Sequence, residues 1–165
     1  MDATHLHLLL NHFPIIGTLI ATVLLLISLT TKNEAIQKTS LVIIFLMALI
    51  AIPVFFTGEP AEERVEKLPG IAESIIEAHE EAAEAAFWVM MATGVISFVA
   101  LLLQTAQHQT AKAAVILALV AGLVTSALMA RTGYLGGQIR HTEISSNAPT
   151  AQPSQPATGE ETEDD

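Results

Sequence analysis

Six histidines and no cysteine set the chemistry open to this 165-residue chain. Imidazole can ligate haem iron or a zinc, copper or iron ion, and it exchanges protons near neutral pH. Without a thiol, disulfides, iron–sulfur clusters and thiolate metal sites are excluded. Five of the histidines, His5, His7, His12, His79 and His141, fall at the same end of four apolar segments, so that end is the candidate ligand site.

The segments cover residues 8–29, 41–56, 87–103 and 113–129. Each comes near the roughly 20 residues needed to span hydrocarbon. The second is the shortest and crosses only if Thr39, Ser40 and Thr57 lie at the interfaces or the bilayer thins. A hydrophobic content of 52% and a mean hydropathy of +0.53 support membrane spans. The runs 15–29 and 41–56 have no polar stripe, as the helices of a soluble bundle would. The expected fold is all-α, a membrane-spanning antiparallel four-helix bundle over 1–141. An acidic tail over 142–165, rich in Pro, Gln, Thr and Ser, is expected to be disordered.

No cationic residue precedes the first segment and no small-residue cleavage pattern follows it, so it is expected to remain as a helix. Lys32, Lys38 and Lys112 lie in the short connections, which makes those the cytoplasmic side. The expected location is the bacterial inner membrane, crossed several times, with both termini periplasmic. The connection 58–84 carries nine Glu against Arg64 and Lys67 and supplies much of the net charge of −10. After Pro69-Gly70, Glu73, Glu77, Glu80, Glu81 and Glu84 recur at helical spacing, so the third helix is expected to begin outside the membrane.

Counting from the short connections at helical rise places His12, Glu59, Glu84 and Arg131 in one inner tier at the edge of the hydrocarbon. Charged groups there must pair, and Arg131 with Glu59 or Glu84 is the expected match. His5, His7, His79 and His141 form an outer tier. Ala82, Ala83 and Ala86 share a helical face with His79, and Gly133 and Gly137 share one with His141. Small residues either let helices approach closely or leave room for a flat cofactor.

A b-type haem needs imidazole ligands from facing helices, little side-chain bulk, and cations for its propionates. His12 and His79 are the expected iron ligands, with His7 and His141 as alternatives and Arg131 and Arg140 near the propionates. The chain would then exchange electrons with a redox partner or a quinone. Two other readings stand beside this one: a non-catalytic accessory subunit of a larger membrane complex, and a site for a Zn, Cu or Fe ion. The lipid bilayer is the one partner common to all three, and the acidic balance argues against nucleic acid. No nucleotide-binding glycine loop, Ser/His/Asp set or H-E-x-x-H motif is present, so an electron-transfer or accessory role is favoured over a stand-alone enzyme.

Asn11-His12-Phe13-Pro14-Ile15 is the sharpest local motif. Pro14 either kinks a continuous helix or sits in the first turn of one capped by Asn11. His7-x4-His12-Phe13-Pro14-Ile15 resembles the opening of a widespread family of uncharacterised bacterial four-helix inner-membrane proteins, which begin His-Pro, then an aliphatic stretch, then His-Phe-Pro-Ile. Leu8 and Asn11 depart from that pattern. The resemblance implies the four-span layout and equates His7 and His12 with the family's paired histidines, and it carries no activity with it.

Overall fold

The computed structural model describes residues 3–65 and 73–140. The helices are α1 (Ala3–Leu10), α2 (His12–Thr31), α3 (Glu34–Phe56), α4 (Gly58–Val65), α5 (Glu73–Thr105) and α6 (Ala111–Arg140). Four units are long and apolar enough to cross a membrane: α1 with α2, α3 with α4, α5, and α6. The expected four-span bundle is therefore present. The tail over 142–165 lies outside the described residues.

The spans form a square in which α2 packs on α3, α3 on α5, α5 on α6, and α6 back on α2. Two tight connections close its far end. Asn33 caps α3 by accepting hydrogen bonds from the N–H groups of Ala35 and Ile36, and residues 106–110 turn α5 into α6. Inside, Leu25, Leu41, Ile44, Met90 and Val115 are fully buried. Outside, Leu19, Leu46, Val95 and Leu117 are among many large apolar side chains left exposed, a surface that only lipid can solvate.

Close seams and hydroxyls hold the bundle together, because lipid supplies no hydrophobic force between helices. A methyl group at Gly94 would overlap Ala48, so α3 and α5 nearly touch there. The Thr93 and Thr125 hydroxyls join α5 to α6 at 2.7 Å: one donates to the other, and the acceptor gives its own proton to the carbonyl four residues back on its helix. Stacked Phe55 and Phe87 rings, 4.2 Å apart, join α3 to α5 nearer the histidine end.

That end carries one aromatic residue per span, each more than half exposed: Phe13, Phe56, Trp88 and Tyr134. Aromatic side chains so placed mark a membrane–water interface. The 33 residues of α5 reach about 50 Å, well beyond the roughly 30 Å of hydrocarbon. The first turns of α5, with Glu73, Glu77, Glu80 and Glu81 exposed, stand above the aromatic belt as the glutamate spacing implies.

The Asn11–Pro14 motif combines the two local expectations. Asn11 keeps helical dihedrals and its N–H still reaches the His7 carbonyl at 2.9 Å, but its side chain caps nothing. Pro14 has no N–H to offer the Leu10 carbonyl, so the helix breaks at Asn11 and restarts at His12. Beyond that break α1 packs along α2, α3 and α4 and makes no extended contact with α5 or α6.

Candidate functional site

Two histidines from the outer tier, His7 on α1 and His79 on α5, each reach across to the backbone of a neighbouring helix. Their settings match. His7 Nδ1 lies 3.0 Å from the Val54 carbonyl on α3, and a Cβ on Gly58, four residues further along, would stand 3.7 Å from the ring. His79 Nδ1 lies 3.1 Å from the Thr132 carbonyl on α6, and a Cβ on Gly136, again four residues further, would stand 3.0 Å from the ring. Each imidazole thus rests where a missing side chain lets it reach a helix carbonyl.

The carbonyls fix the tautomer. A carbonyl oxygen accepts only, so both rings must donate through Nδ1–H, and in a neutral imidazole that leaves Nε2 as a bare lone pair. Neither Nε2 makes a hydrogen bond among the described residues. Backbone carbonyls orient ligand histidines in this way in metal and haem proteins. His79 stands above the hydrocarbon, and burial holds its imidazole below the ordinary value of 6.5. The Thr132 bond acts in the opposite sense, and His7 adds to the lowering.

The arrangement repeats between the two halves of the chain. In each hairpin the first span brings a histidine, a short turn reverses the chain at the far end, and the return span brings the carbonyl and the glycine, Val54 on α3 with Gly58 at the start of α4, and Thr132 with Gly136 on α6. His7 thus sits in the packing of α1 with α3 and α4, and His79 in the packing of α5 with α6. On α6, a Cβ at Gly137 would meet nothing within 4 Å among the described residues. Gly133 faces Ile15 instead.

His12, the first-span residue expected to ligate, is exposed. Its five-residue offset from His7 turns it about 140° around the helix, so the two cannot face inward together. His5 is exposed as well. α6 continues through its glycines to Arg140, but the Arg140 side chain and His141 lie outside the described residues. Arg131, Glu59 and Glu84 are all exposed, and among the described residues no ion pair joins them. The expected inner-tier charge match is therefore corrected: these side chains reach water at the interface and need no partner. Among the described residues no three His, Asp or Glu side chains gather as a metal-binding group.

Sequence reasoning singled out His7 and His79 but missed Val54, Gly58, Thr132 and Gly136. A carbonyl has no side-chain signature. The one available sign was a glycine near the histidine-end terminus of each return helix.

Thr4 and Asn11 share the His7 face of α1 at i−3 and i+4. Thr4 Oγ1 and Asn11 Oδ1 are buried with no hydrogen-bond partner, a situation that costs about 1–3 kcal/mol per group.

Fold and site together define a four-span α-helical membrane protein with two imidazoles tethered to helix carbonyls at one end. The chain belongs to the family described as predicted membrane protein (DUF2231), which matches residues 3–143. No curated protein and no solved structure is similar enough to match it.

Proposed function

We propose that this protein carries a b-type haem at the histidine end, with His7 and His79 as axial ligands, and passes electrons to a redox partner or a quinone. In this reading it sits in the bacterial inner membrane with both termini periplasmic. One observation carries it: two imidazoles from separate halves of the bundle are each tethered through Nδ1 to a helix carbonyl, and among the described residues their Nε2 atoms make no hydrogen bond.

Ligand number favours haem over a bare ion. A porphyrin supplies four nitrogens and needs two more ligands along its axis, whereas a protein zinc site draws three or four from side chains. The pair here, without a third ligand among the described residues, suits the first requirement. Arg131, exposed on α6 near the interface, is available to a propionate.

The test is an absorption spectrum of protein purified in detergent with haem supplied. The expected result is a Soret band that sharpens and shifts on reduction, converted to a five-coordinate spectrum by either His7→Ala or His79→Ala. A well-folded protein that neither retains nor takes up haem would refute the proposal and favour an accessory subunit whose histidines brace the helix ends.

A further inference from the structure

At the end of the bundle away from the histidines, two buried oxygens are left unanswered by the helices around them. Ser97 on α5 is fully buried, and its Oγ has no hydrogen-bond partner among the described residues. The buried serines of α2 and α3 behave differently, since Ser28 and Ser40 each donate to a carbonyl of their own helix. Seven residues beyond Ser97, and so on the same face of α5, Gln104 is buried as well. Its Nε2 donates to Gln37 Oε1 on α3 at 2.6 Å, while its own Oε1 goes unpartnered. Gln37 is partly exposed, so this amide pair stands where the bundle meets water. Ser97 lies about 12 Å in from the end of α5 at Thr105, with Ser28 and Ser40 at depths between.

The two unpartnered oxygens select what can bind them. Gln104 Oε1 only accepts, whereas a hydroxyl can accept or donate. The ligand must therefore donate hydrogen bonds and be small enough for a closely packed core. It must also be uncharged, because no Asp or Glu is buried among the described residues to balance a cation. Water meets all three conditions. Left dry, each oxygen costs the bundle its full desolvation, and a bound water restores bonds nearly as good as direct ones. We propose that a resident water binds Ser97 Oγ inside the membrane, reached from the far-end surface past the Gln37–Gln104 amide pair. Hydration stops one turn deeper, where Thr93 and Thr125 bond to each other and Met90 is fully buried. This site is independent of the haem reading.

The chain has no cysteine, so one introduced thiol gives one infrared S–H band, which deuterated buffer abolishes once water reaches the sulfur. In the full chain in lipid nanodiscs, Ser97→Cys should exchange about tenfold or more faster than Met90→Cys, two turns deeper on α5. Equal rates overturn the site, whether both are fast or both slow. Gln104→Leu added to Ser97→Cys should slow that exchange by about tenfold or more, and an unchanged rate overturns the entry route. The wild type supplies a check free of any substitution. A density map that resolves water should show one within hydrogen-bond distance of Ser97 Oγ. An Oγ bonded to a carbonyl of its own helix, with no water beside it, overturns the proposal.

Discussion

Gly136→Ala separates ligand orientation from bundle stability. The added methyl would stand 3.0 Å from His79 Cε1 and 3.3 Å from Nδ1, so the ring must retreat by about half an ångström to ordinary contact. Its bond to the Thr132 carbonyl is already 3.1 Å, and that retreat carries it past useful hydrogen-bond length. Losing the bond costs about 0.5–1.5 kcal/mol. Replacing glycine by alanine inside a helix returns about 1 kcal/mol. The variant should therefore melt within about 1 kcal/mol of wild type, yet hold haem roughly 10- to 100-fold more weakly, as expected when a ligand loses its orienting partner. Gly58→Ala is the control, since its methyl would meet the His7 ring at an ordinary 3.7 Å and should leave affinity unchanged. Calorimetry and a haem titration read the two quantities separately. Affinity preserved in Gly136→Ala but lost in Gly58→Ala would refute the notch argument.

Gly94→Val should destabilise the bundle by about 1–3 kcal/mol through overpacking, because the Ala48 methyl opposite cannot move aside as a long side chain would. Thermal melting in detergent checks it, and a neutral result would mean that α3 and α5 are further apart than described. Since the pKa of His79 is lowered on folding, its contribution to stability is complete above 6.5 and declines as pH falls from 6.5 through the folded value. Melting curves from about pH 8 to about pH 5 should show that decline in the wild type and a shallower one in His79→Gln; identical slopes would count against a buried, neutral imidazole. Trp88, the chain's one tryptophan, should be quenched most by lipids brominated near the headgroup, and stronger quenching from mid-chain bromines would displace the proposed aromatic belt.

The primary sequence settled the fold, because four runs of about 20 apolar residues with tight far-end turns leave few arrangements in a bilayer. It also announced the long first turns of α5 through the glutamate spacing, and it placed His5, His7, His12 and His79 at one end, since depth follows from counting along a helix. Azimuth does not follow so readily. Which of His7 and His12 faces inward depended on which side of the first span packs on its neighbours, and helix counting treats every side of a lipid-bathed rod alike. Packing decided that His7 meets the Val54 carbonyl and His79 the Thr132 carbonyl. Those acceptors belong to the backbone, which every residue carries, so only the tertiary structure could select them. The glycines at 58 and 136 acquire meaning for the same reason: an absent side chain matters only once a ring from another helix lies against it.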